Sequence, residues 1–147
     1  TDLLAALCKP TIELSLEAVT RAARSPGSPT ARLHRAIAGF TQVVLSRQAN
    51  IAIYFREEKN LAPDALAEIN ALRKKFDRVL SNLLTEGVAA GEFDIGDVNL
   101  GALAIGGMIS WAYTWHRPEG RLALDEMCQR MADLALQMVG ARSKVTV

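Results

Sequence analysis

Between Val98 and His116 the chain has no Asp, Glu, Lys or Arg, although such residues make up 22% of its 147 positions. Its apolar residues there do not keep to one side. A helix of this kind has no polar face for water and must be covered all round, by a partner, a ligand-filled cavity or lipid. The other absences narrow the class. Cysteine occurs only at 8 and 128, too few and too far apart for a disulfide framework, and both read as reduced, packed thiols of an intracellular protein. The formal net charge is only +1, which gives the chain no electrostatic case for nucleic acid or an anionic membrane. Alternating β-branched runs are missing, so no strand is expected. There is no Gly-rich phosphate loop, no nucleophile elbow and no carboxylate pair on an apolar face, and the expectation is that the chain is not an enzyme. His34 and His116 lack partners at ligand spacing, so neither metal nor cofactor is expected. The opening TDLLAALCKPTIELS has no basic region before an apolar core. It reads as no signal peptide, entered part-way inside a helix, which places the protein in the cytoplasm.

What is present is helical periodicity on a single domain's length. A first helix is expected from about Asp2 to Arg24, stopped by the breaker cluster SPGSP at 25–29. A second starts near Thr30 with Leu33, Ile37, Phe40, Val44 and Leu45 at three- and four-residue spacing. The pattern slips at 48–51, and NIAIYFREEKNL forms a short helix. Pro63 and Asp64 suit the first turn of a long fourth helix, striped by Leu66, Ile69, Leu72 or Arg73, Phe76, Leu80 and Leu83 and closed at Gly91. Asp97 caps the uncharged helix, and Arg117-Pro118-Glu119-Gly120 ends it. A last helix spans about Leu124 to Val139, before Gly140. The fold class is therefore all-α, with six helices in a domain over 1–140 and a frayed tail over 141–147.

The uncharged helix can be divided into two faces. Ala102, Gly106 and Ser110, with Ile105 and Ile109 beside them, form a small-residue row suited to close helix approach. Ala104, Met108, Trp111 and Trp115 form a bulky row suited to lining a cavity. On the last helix Met127, Met131, Leu134 and Met138 make an adaptable apolar stripe. Duplicated by a two-fold axis, these last two helices would make a four-helix bundle, so a homodimer is expected. Packing of both helices inside a monomer core is the plainer alternative. Nineteen uncharged residues could also just span a bilayer, but the glycines, Asn99, Ser110, Thr114 and the amphipathic helices around them argue against a membrane segment.

The block LLTEGVAAGEFDIGDVNLGALAIGGMISWAYTWHRPEGRLALDEM resembles the C-terminal regulatory half of TetR/AcrR-type transcriptional repressors. The EG-x3-GEF turn, the acidic start of the next helix, the GM-x2-W-x3-W close and the RPEG connection carry the likeness. Helix order extends it over the whole chain, with TDLLAAL at the family's fourth helix and the terminal helix at its ninth. The family's N-terminal helix-turn-helix has no counterpart in these residues, so no DNA-contact residue carries over. The resemblance implies a ligand-binding and dimerisation domain whose partners are a second copy and a small apolar effector, with DNA reached only through a domain outside this chain. It implies a cavity enclosed by the first five helices. The residues expected to face it are Phe40, Val44, Tyr54 and Phe55, then Phe76 and Leu80, then Met108, Trp111 and Trp115. Arg73 interrupts an apolar stripe and could hold a carboxylate or phosphate, or reach to solvent; Arg47 and Arg56 are weaker candidates of the same kind. The segments WAYTWHRPEG and YFREEKNL resemble members that answer to fatty-acyl or steroid-derived coenzyme A thioesters. A stand-alone helical interaction module and a lipid-carrier bundle remain as alternatives.

Overall fold

A computed structural model describes residues 2–141, and over them every regular element is helical. The order is α1 (Asp2–Arg24), α2 (Pro29–Ser46), α3 (Gln48–Glu57), α4 (Pro63–Ala89), α5 (Val98–Trp111) and α6 (Leu124–Met138). Short 3-10 turns at Glu58–Asn60 and Ala112–Thr114 follow α3 and α5. The all-α, six-helix expectation holds. Positions 142–147 of the expected tail lie outside the described residues. Ala141 is not frayed: it is half-buried and donates its N–H to the Leu136 carbonyl.

Local chemistry sets the boundaries. After α1, Gly27 takes φ +127°, and Ser28 caps α2 by accepting from the Ala31 N–H at 3.1 Å, with Pro29 in the first turn. Arg32 ties this corner down. Its guanidinium donates to the carbonyls of Ala23 and Gly27 and meets Glu86 at 2.8 Å, joining the end of α1, the start of α2 and the end of α4. At the close of α4, Gly91 adopts φ +76°, and the N–H groups of Glu92 and Phe93 return to the Gly87 carbonyl.

Helix α2 is the centre of the molecule, packed against α1, α4 and α6. Leu33, Ile37, Phe40 and Val44 are buried in one cluster with Leu80, Leu83 and Leu84 of α4, Ile105 and Ile109 of α5, and Met127 and Met131 of α6. A smaller cluster gathers Cys8, Tyr54, Leu61 and Ile69 at the other end of α1. Both cysteines are buried and unpaired, and burial, helped by Asp125, pushes the Cys128 thiol up to about 11.

The uncharged segment does not form one helix to 116. Helix α5 ends at Trp111 after 14 residues, about 21 Å at about 1.5 Å per residue, short of the ~30 Å of a bilayer core. No described helix is long and apolar enough to cross a membrane. Asp97 caps α5 as expected, accepting from the Leu100 N–H at 3.0 Å.

A candidate effector cavity among five helices

Residues of α1 to α5 line a half-open cavity of about 360 Å³. Its walls are mostly apolar. Phe40 and Val44 come from α2, Ile51 and Phe55 from α3, Phe76 from α4, and Leu103 and Trp111 from α5. Phe40 and Phe76 meet with ring centroids 4.6 Å apart in a tilted pair. Glycine makes room on the α5 side. A Cβ on Gly106 would come only to 3.9 Å from the Phe76 ring, and one on Gly107 would meet nothing within 4 Å. The rim is aromatic: Phe55 stacks on Tyr113 at 5.6 Å, and Trp111 meets Tyr113 edge-on at 5.8 Å. Gln48 holds that end of the chain by donating to the carbonyls of Tyr113 and His116 at 3.1 and 2.9 Å.

Polar groups collect where α1 and α4 line the cavity, at Thr11, Ser15, Arg73 and Asp77, with Tyr54 of α3 beside them. Arg73 Nη1 donates to the Tyr54 hydroxyl at 2.8 Å, and that hydroxyl donates to Glu58 Oε2 at 3.0 Å. The guanidinium also lies 3.6 Å from Glu58 and its side chain is half exposed. Arg73 therefore sits at the rim with its charge already balanced. Burial raises the Tyr54 phenol above its ordinary range, the nearby Arg73 charge opposing it. Burial likewise lifts the Asp77 carboxyl, again opposed by Arg73.

Seven of the ten expected cavity residues line this space: Phe40, Val44, Tyr54, Phe55, Arg73, Phe76 and Trp111. Three do not. Leu80 is fully buried in the main core, Met108 packs against that core from its edge, and Trp115 lies beyond the end of α5 with 53% of its surface exposed. Arg47 and Arg56 are also away from it, Arg56 paired with Glu57 on the surface. His34 meets Asp133 at 3.1 Å, and the described residues hold no metal-ligating cluster.

The two-face division of the uncharged helix needs correction. Ala102, Ile105 and Ile109 are wholly buried in this chain's own core and have no surface left for a second copy. Gly106 and Ser110, expected beside them, line the cavity instead. At about 100° per residue, the core row, the cavity row and the outward row follow one another around the helix. The outward row is Leu100, Leu103, Ala104, Gly107 and Trp111, all exposed. On α6, Met127 and Met131 are buried against α2, whereas Leu134 and Met138 remain 46% and 43% exposed.

Residues missed in the sequence include Thr11, Ile12 and Ser15 of α1 and Asp77 of α4. One signal was readable. Cys8, Thr11, Ser15, Val19 and Ala22 share one helical face, and hydroxyls inside a buried stripe invite a polar occupant.

An all-helical domain built around an apolar cavity with a few convergent polar groups has the form of a small-molecule-sensing module. The chain belongs to the tetracyclin repressor-like C-terminal domain family, which matches residues 26–139. Among solved structures, a TetR/AcrR-family transcriptional regulator from Thermobifida fusca is 29% identical with a TM-score of 0.81, over 97% of this chain and 74% of that one. A TetR-family regulatory protein from Rhodococcus RHA1 is 24% identical and shows the same fold at a TM-score of 0.87, over 97% of this chain and 75% of that one. AibR, solved with isovaleryl coenzyme A and operator DNA, is 25% identical with a TM-score of 0.74, over 94% of this chain and 73% of its own. No curated protein matches the chain in sequence.

Proposed function

We propose that this chain is the effector-binding and dimerising part of a cytoplasmic TetR-like transcriptional regulator, taking an apolar small molecule into the cavity between α1 and α5. The observation that carries the reading is the cavity itself: about 360 Å³ with walls of Phe, Val, Ile, Leu and Trp. Among apolar effectors, the acyl part of a coenzyme A thioester or a related lipid is the class supported by the likeness to AibR. DNA reading would fall to a helix-turn-helix outside these residues, and the effector would act by binding one arrangement of two such heads better than the other.

Dimerisation is assigned to the outward faces of α5 and α6. Leu100, Leu103, Trp111, Leu134 and Met138 leave 43–61% of their surface to solvent, and a two-fold axis through this patch would build a four-helix bundle. Leu103 and Trp111 also line the cavity, so pairing and effector would act on the same wall.

Native mass spectrometry and thermal unfolding with octanoyl coenzyme A, free coenzyme A and uncharged apolar compounds test the effector reading. One-to-one adducts are expected with the apolar compounds and not with free coenzyme A. At a hundredfold excess over Kd the linked stabilisation of about 2.7 kcal/mol should raise the unfolding midpoint by roughly 5–10 °C. No adduct and no shift across the panel would refute it.

A further inference from the structure

The polar end of the cavity holds hydrogen-bonding capacity that the protein does not use. Thr11 lines the cavity, is 2% exposed, and its Oγ1 is a buried side-chain oxygen with no hydrogen-bond partner among the described residues. A buried hydroxyl left unpaired costs the folded state, so such groups are normally satisfied. One turn on, Ser15 has already given its proton to the Thr11 carbonyl at 2.8 Å, and can only accept. On α4, Asp77 also lines the cavity and takes part in no hydrogen bond or ion pair found among the described residues. Arg73, one turn before it, is engaged by the Tyr54 hydroxyl at 2.8 Å and by Glu58 at 3.6 Å.

The charges can be balanced from these contacts. Arg73 is engaged first by Tyr54 and Glu58 and opposes only part of the effect of burial on Asp77, which leaves the Asp77 carboxylate without a hydrogen-bond donor among the described residues. An ionised carboxylate only accepts hydrogen bonds. What it lacks is a donor, and a second carboxylate brought beside it would be repelled. The Thr11 hydroxyl can accept from an ammonium or a hydroxyl, and toward a hydroxyl oxygen it can instead donate.

We propose that the cavity selects apolar molecules whose head group donates a hydrogen bond, a hydroxyl or a protonated amine, to Asp77 with Thr11 Oγ1 as the second partner, and that it rejects the matching carboxylates. The proposal rests on the cavity being the effector site and specifies the chemistry that the site reads.

Isothermal titration of the 147-residue chain with 1-decanol, decylamine and decanoate, each below its critical micelle concentration, is the test. Decanol and decylamine should bind about tenfold or more tighter than decanoate. Asp77→Asn should abolish the preference of decylamine over decanoate. Thr11→Val should weaken decanol about tenfold while leaving the unfolding midpoint of the empty protein unchanged or raised, because it removes an unpaired hydroxyl at nearly constant shape. A lowered midpoint with unchanged decanol affinity would make Thr11 structural and overturn its role. If decanoate binds as well as the others, or Asp77→Asn leaves their order intact, the head-group assignment falls while the cavity stands as an effector site. If none of the three binds while octanoyl coenzyme A does, the head-group assignment falls alone; if octanoyl coenzyme A and the uncharged apolar compounds fail as well, the effector reading falls and takes this inference with it.

Discussion

Single side chains at the α4–α5 turn show how little space the fold leaves there. A Cβ on Gly87 would overlap the Cδ2–Cε2 edge of the Phe93 ring. Phe93 is itself 4% exposed, so the ring has no open space to move into. Gly87→Ala is therefore expected to cost about 1–3 kcal/mol by overpacking, measured as a drop in the urea midpoint with an unchanged slope. In the sequence the same residues were legible as a turn signature, EGVAAGEF, with Gly91 as its left-handed residue. The contact between Gly87 and Phe93 was not, because a glycine kept for close approach looks the same as one kept for its backbone freedom. Thr11 was missed in the sequence, and only the tertiary structure shows its hydroxyl buried without a partner among the described residues.

For the helices, ends were more legible than faces. The Ser28, Pro63 and Asp97 starts are decided by local chemistry; Pro63 and Asp97 were read from residue type, whereas Ser28 was read only as part of the breaker before a helix starting near Thr30. Asp97→Ala removes the acceptor for the Leu100 N–H and is expected to destabilise α5 by about 1 kcal/mol, seen as a lower thermal midpoint. The corner held by Arg32 gives a pH dependence. The Arg32 hydrogen bond and charge hold the Glu86 carboxyl below its ordinary range. An acid whose folded pKa is lowered stabilises the fold above its unfolded value, about 4.5, and that contribution is lost as pH falls through the lower folded value. Stability should therefore decline below about pH 4.5, and Glu86→Gln should flatten that part of the profile. An identical profile in the variant would show that other carboxylates carry the decline. Faces were harder to read. In α6 the sequence stripe ran Met127, Met131, Leu134, Met138, whereas the buried row continues from Met131 through Ala135 to Val139. Small alanines carry that face against α2, and an apolarity pattern weights the larger Leu134 and Met138 instead.

For the molecule as a whole, the exposed row of α5 and the end of α6 raise the question of a partner. Leu100 and Met138 lie outside the cavity, are 61% and 43% exposed, and can be changed without touching core or cavity. The double variant Leu100→Glu with Met138→Glu is expected to halve the mass seen by light scattering while its helical circular dichroism stays constant. A variant that keeps the mass of a wild-type dimer would move the interface elsewhere, and a wild-type chain already monomeric would remove the bundle. Six helices, their order and the family were present in the sequence, because periodicity, caps and breakers act over a few residues and survive without tertiary context; the end of α5 at Trp111 and the 3-10 turn after it were not. The composition of the uncharged helix called for cover all round, whereas in this chain one side of α5, at Leu100, Leu103 and Trp111, stays exposed. Which side is covered by what was settled only by packing. Ala102, Ile105 and Ile109 meet the core, Gly106 and Ser110 open onto the cavity, and Leu103 and Trp111 stand between cavity and solvent. A helix apolar on every side carries no preferred direction in its own sequence; its rotation is set by the shapes of α2, α4 and α6, which lie far away along the chain and adjacent in space.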